Sequence, residues 1–103
     1  MRPAFTPLAE QDLEAIADYI AADNPVRALS FVRELRTQCQ RITLNPPGYR
    51  LRPELGDRIR SCAHGHHVIF FESNSDVVVI VRILHGARDI PAVFGADPES
   101  PLR

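Results

Sequence analysis

The sequence contains no lysine: all 12 of its basic residues are arginine, set against 13 acidic ones, for a formal net charge of -1. That balance excludes the broad positive footprint of a protein whose main task is to hold a phosphate backbone. It leaves guanidinium groups, whose planar forks suit carboxylate, phosphate and aromatic surfaces, as the permanent side-chain cations available to an interface. There are only 2 cysteines, Cys39 and Cys62, too few and too scattered for a disulfide framework or a zinc site of the usual paired spacing. Reduced thiols are expected. No run approaches the roughly 18 apolar residues of a membrane-spanning helix. Met1-Arg2-Pro3-Ala4 does not lead into the apolar stretch of a signal peptide, so the expected location is the cytoplasm. A chain of 103 residues that is 45% hydrophobic can bury one modest core and not two. This predicts a single domain over residues 1–95. Residues 96–103, opened by Gly95-Ala96-Asp97-Pro98, read as a flexible tail.

What is present has a clear grammar. Thr6-Pro7 supplies a capping hydroxyl and a proline at the first helical position, and Glu10, Asp12 and Glu14 follow where the helix dipole favours negative charge. Ala9, Leu13, Ile16, Ala17 and Ile20 then repeat at helical spacing, predicting a first helix to about Ala22. Asn24-Pro25 repeats the signal. Ala28, Phe31, Val32, Leu35, Cys39 and Ile42 form the stripe of a second helix, and the short connection forces an antiparallel hairpin. Asn45-Pro46-Pro47-Gly48 ends it. From Arg58 the pattern becomes extended, with strands expected over Arg58–Ala63, His67–Ser73 and Val77–Leu84. The last run is too uniformly apolar for a half-exposed edge, so it needs a strand on its far side, and the spare extended segment is Arg2–Phe5. The predicted order is β-α-α-β-β-β: an α+β fold with the N-terminal helical hairpin packed on one face of a small, mainly antiparallel sheet.

Particular residues narrow this further. Leu8-Ala9-Glu10-Gln11-Asp12-Leu13-Glu14-Ala15-Ile16 after Thr6-Pro7 resembles the opening helix of ParE toxins of the RelE/ParE toxin-antitoxin superfamily. Val81-Arg82-Ile83-Leu84-His85-Gly86-Ala87-Arg88-Asp89 resembles their closing strand and turn, and the segments between fall in the same order. The resemblance implies the toxin of a type II toxin-antitoxin pair, neutralised by a ParD-like antitoxin encoded alongside it. Better known members of that family inhibit DNA gyrase. A diverged, non-toxic module that keeps only antitoxin binding is compatible with the same resemblance.

The competing chemistry is that of RelE-like relatives, which share the fold and cut messenger RNA on the ribosome. A nuclease of this kind must bind phosphates, activate a 2'-hydroxyl and protonate a leaving oxygen. The candidate set is Glu54, Arg60, Arg82 and His85, with Arg60 and Arg82 on strands that could face one another. The lysines such enzymes often use are absent, and Tyr19 and Tyr49 lie far from the C-terminus. The balance favours a protein-binding inhibitor without cofactor or metal. Its candidate target-binding residues are Arg60, Arg82, Arg88, Asp89, Ile90, Val93 and Phe94, since arginine beside an apolar aromatic cluster is a favoured hot-spot composition. Ile90–Phe94 also reads as a short closing helix packed back on the sheet. Arg60 and Arg82 also read as packed stems whose heads pair at the surface or with a carboxylate such as Asp89, and His85 as the group that fixes the turn before Gly86. Cys62, His64 and His66 could share a face in extended chain and bind zinc, but Gly65 sits where the hairpin must turn and breaks that alternation. Arg50, Arg52, Arg58 and Arg60 form one locally basic region, either a solvated surface offset by Glu54 and Asp57 or a contact patch for an anionic partner.

Overall fold

Thr6 begins the fold with two bonds from one hydroxyl. Its Oγ1 accepts the Ala9 N–H at 3.0 Å, capping the first helix, and donates to the Val81 carbonyl at 2.8 Å, tying that helix start to the last strand. Asn24 caps the second helix through Oδ1, which accepts the Arg27 N–H at 3.1 Å. Caps of this kind contribute about 1 kcal/mol each. In this computed structural model, which describes residues 2–95, strand β1 (Ala4–Phe5) leads into helices α1 (Pro7–Ala21) and α2 (Pro25–Ile42). A single 3-10 turn at Pro46–Gly48 leads to β2 (Arg50–Leu51), followed by β3 (Arg60–His64), β4 (His67–Ser73), β5 (Val78–His85) and α3 (Ile90–Gly95). The expected tail, 96–103, lies outside the described residues.

The sheet order is β1-β5-β4-β3-β2. β5 is therefore interior, with β1 on its far side, as its apolar run demands. β1 runs parallel to β5 (Ala4↔Val79, Phe5↔Ile80) and all other neighbours are antiparallel. β2, two residues against Ser61 and Arg60, is an edge strand beyond the predicted set. Among the described residues no helix is long and apolar enough to cross a membrane.

One irregularity decides which face each β5 residue uses. Phe70 pairs with Arg82 but Phe71 pairs with Ile80, so Val81 is an extra, unpaired residue, a β-bulge. Strict alternation from Val78 and Ile80 would put Arg82 against the helices. The bulge shifts the phase, so that Val78, Ile80 and Ile83 join Leu13, Leu35 and Cys39 in the main core, while Leu84 and the packed flank of Val81 belong to the opposite side. There a second, smaller core forms from Ile59, Phe70, Leu84 and Ile90, with Val93 and Phe94 against it. Phe94 meets Phe70 edge-on at 5.2 Å. The closing-helix reading of Ile90–Phe94 is thus the one the fold adopts, and Ile90, 8% exposed, offers little surface to a target. Apolar residues after the turn pack here because the sheet's second face would otherwise leave Phe70 and Leu84 in water.

Candidate partner-binding groove

β1 is too short to accompany β5 to its end. It pairs with Val79 and Ile80 only, so the β5 edge from Val81 to His85 is closed only in part, by side chains. Asp12 of α1 does much of this. Its Oδ2 accepts the Ile83 backbone N–H at 2.9 Å and Arg82 Nε at 2.8 Å, while Oδ1 accepts Arg82 Nη2 at 2.9 Å. The carboxylate thus stands in for a missing strand and anchors the guanidinium, which the ion pair holds firmly charged by raising its pKa. The partner of Arg82 is Asp12, not Asp89. Asp89 faces the Ala92 N–H at 3.4 Å, at the start of α3.

Past Asp12 the edge opens into a groove of about 660 Å³ between α1 and the end of β5. Ala15, Ile16 and Ile20 form its helical wall, Phe31 and Ile83 its floor, and Tyr19, 84% exposed, stands at its rim. Apolar side chains facing an unfilled concavity beside an open strand edge are the features a docking segment uses.

Three of the chain's 4 histidines, His66, His67 and His85, line one end of this groove, and His64 lies across the hairpin from His67. His64 and His67 close the β3–β4 hairpin, which turns through Gly65 at φ +60°, a conformation that suits glycine. His67 pairs across the sheet with His85, their rings 5.2 Å apart, and His66 stacks on His85 at 6.1 Å. Nδ1 of His85 accepts the Ala87 N–H at 3.0 Å, fixing the turn before Gly86 as expected and leaving the proton of the neutral ring on Nε2. Nδ1 of His67 is buried with no partner, and its pKa is lowered by burial first and by the neighbouring histidines second.

The residues a nuclease would need are dispersed. Arg60 and Arg82 lie on β3 and β5 with β4 between them, about 10 Å apart at the backbone, and their cross-strand partners Phe71 and Phe70 belong to opposite faces. Arg60 donates to the carbonyls of Tyr49 (2.8 Å) and Pro47 (3.4 Å). His85 ends β5 beside the β3–β4 turn, whereas Arg60 begins β3 at the other end of the sheet. Glu54 is paired with Arg52 at 2.7 Å, and that bond lowers its pKa. Arg52 also reaches Ser61 and lies over the Phe70 ring, so half of the basic region serves internal contacts. Cys62 is buried and its Sγ accepts from Gln38, while His64 faces Glu34 at 3.5 Å. Among the described residues no three histidine, cysteine or acidic side chains are placed to hold a metal ion. Sequence reasoning missed Asp12, reading it as one of several dipole-matched acids. Its place beside Leu13 and four residues before Ile16, on the inward stripe, was the available signal.

A helical hairpin on a mainly antiparallel sheet, with a groove along its last strand, is an architecture found among toxin-antitoxin proteins. A chain of the chromosomal ParDE TA system from P. aeruginosa superposes with a TM-score of 0.70 over 82% of this chain and 95% of its own, at 23% sequence identity. Ten solved chains match significantly, whereas nothing matches among curated sequences. Residues 4–90 match the model of the ParE toxin of the type II toxin-antitoxin system, parDE, and the chain belongs to that family.

Proposed function

We propose that this ParE toxin acts in the cytoplasm by binding DNA gyrase, and that a ParD-like antitoxin holds it inactive by laying a segment along the groove beside β5. The observation that carries this reading is the groove itself: an apolar, unfilled concavity at an uncompleted strand edge. An antitoxin segment that folds on binding can bury that apolar wall and reach the free edge. The dispersal of Glu54, Arg60, Arg82 and His85 supports action through a surface over messenger RNA cleavage. Of the expected target-facing residues, Arg88 and Asp89 are exposed and Val93 and Phe94 half-buried. We place the gyrase-facing surface on this stretch, with Arg88, which also lines the groove, as its cation. An antitoxin in the groove then covers Arg88 and neutralises by overlap.

The test is to express the chain with and without its neighbouring reading frame while following growth, DNA supercoiling and transcript integrity. Growth arrest with altered supercoiling and intact transcripts, relieved by the neighbour, is the expected result. Early ribosome-dependent transcript cleavage refutes the gyrase reading, and normal growth without the neighbour makes the chain a non-toxic module.

A further inference from the structure

The open end of the groove is chemically one-sided. The one carboxylate lining it, Asp12, is committed to Arg82; Glu34 on α2 is held by Arg27 at 2.6 Å and His64 at 3.5 Å, and Asp89, next to Arg88, faces the Ala92 N–H at the start of α3. What remains is Arg88, which makes no ion pair among the described residues, exposed His66, exposed His85 with its Nε2–H, and the Tyr19 hydroxyl. A cation beside several donors, with no uncommitted carboxylate among the residues that line the groove, makes a seat for an anion. The wall leading to it is apolar, so a small inorganic anion would leave Ile16, Ile20 and Phe31 without a partner, whereas a peptide segment with apolar side chains followed by an Asp or Glu satisfies both parts.

We propose that the open end of the groove is a clasp for a carboxylate of the antitoxin segment, and that His66 makes the clasp proton-dependent, so that the toxin-antitoxin complex takes up a proton as it forms. This rests on the reading of the groove as the antitoxin's seat. Histidine is the side chain whose charge ordinarily changes between about pH 5 and 8. His66 stacks on His85 of β5; the other titratable and charged groups of this region are Arg88 and Asp89 after β5, His64 and His67 on the hairpin, Arg27 and Glu34 on α2, and Asp12 and Tyr19 on α1. A carboxylate seated between Arg88 and His66 adds the negative charge that this set lacks, and protonation of His66 then gives it a second cation. His67, pressed against Phe31 and pushed toward neutrality by burial, stays part of the apolar floor.

The experiment uses the full chain and the full-length protein encoded beside it. Affinity is measured from about pH 8 to about pH 6 at constant ionic strength, by calorimetry in buffers of different ionisation enthalpy so that protons are counted. Net uptake of a fraction of a proton, at most one, and an affinity that rises toward acid by at most about tenfold per pH unit, are expected. His66→Gln should abolish both the uptake and the slope, and Arg88→Gln should weaken binding about tenfold across the range. A wild-type complex that forms without proton uptake, or a slope that survives His66→Gln, overturns the clasp and leaves the groove reading intact. Ala15→Arg tests that reading separately, since residue 15 is an exposed helical position on the groove wall. If this variant binds the antitoxin as tightly as the wild type, the groove is not the seat and both proposals fall.

Discussion

Asp12→Ala should lower folding stability by about 3 kcal/mol, more than any other substitution of a charged residue on α1. The carboxylate side chain is 11% exposed and its Arg82 partner 18%, and the substitution removes two bonds to the guanidinium and one to the Ile83 amide. Breaking a buried pair from one side costs about 3–5 kcal/mol because the surviving charge is stranded. Residual exposure lets Arg82 recover some hydration, which takes that loss to about 2 kcal/mol, and the orphaned amide on an edge that β1 does not reach adds about 1 kcal/mol. Asp12→Asn keeps an acceptor for Ile83 and should cost about 2 kcal/mol. Near the midpoint each kcal/mol corresponds to about 4–8 °C for a domain of this size, so the alanine variant should melt roughly 12–24 °C lower. Urea denaturation of Asp12→Ala, Arg82→Ala and the double variant closes a thermodynamic cycle, with a coupling of about 2 kcal/mol expected. An alanine variant within about 0.5 kcal/mol of wild type, or additive single losses, would show that the pair is ornamental and that β1 and Thr6 alone hold the edge.

Leu35→Asp should abolish folding, because Leu35 is 0% exposed in the main core and an unpaired buried carboxylate costs several kcal/mol; a wild-type melt by circular dichroism would show the helix orientation to be wrong. His67 has its folded-state pKa lowered by burial, so below about pH 6.5 the unfolded chain binds the proton more readily and stability falls with pH, levelling once the pH drops below the folded-state pKa. His67→Phe, which also removes the unpartnered Nδ1, should shrink that acid loss in melts taken across the range, and an unchanged profile would assign it to other groups. Burial pushes the Cys39 thiol up to about 12 and raises that of Cys62, so thiol reagents at about pH 8 should label neither until denaturant is added; rapid labelling of the folded protein would contradict the core placement.

The helices and their caps were legible in the sequence because both signals are local: a hydroxyl or amide before a proline, then an apolar stripe, and Thr6 and Asn24 both cap as read. The interior place of β5 was legible for a different reason, since the run Val77–Leu84 leaves no polar face. The bulge at Val81 was not, because one extra residue in a uniformly apolar strand leaves the pattern unchanged while reversing which side chains face the helices. The assignments to Arg82 and Arg60 inherited that loss. Asp89 is one carboxylate the sequence offers Arg82, but the partner the fold supplies lies 70 residues away on α1. Whether the strands of Arg60 and Arg82 can face one another depends on both strand order and phase. Ile90–Phe94 leaves two readings open because five residues with one buried face look alike as an interface and as a lid; only the apolar second face of the sheet selects the lid.

These placements also bear on why a chain whose basic side chains are all arginine is suited to this fold. Arg82 forks across Asp12, Arg27 lies over Phe31 while gripping Glu34, Arg36 lies over Phe5 while reaching Glu10, and Arg52 joins Glu54, Ser61 and Phe70. Each of these uses a planar group with several donors, which a lysine ammonium cannot reproduce. Five arginines, these four and Arg60, thus serve contacts within the fold, while Arg2, Arg33, Arg41, Arg50, Arg58 and Arg88 are exposed on a chain whose 13 acidic residues outnumber its 12 basic ones. A protein built this way cannot rely on long-range attraction to a phosphate backbone. It must recognise its partners by shape and by a few uncommitted groups, and in this chain the apolar groove beside β5, with Arg88 at its mouth, combines the two.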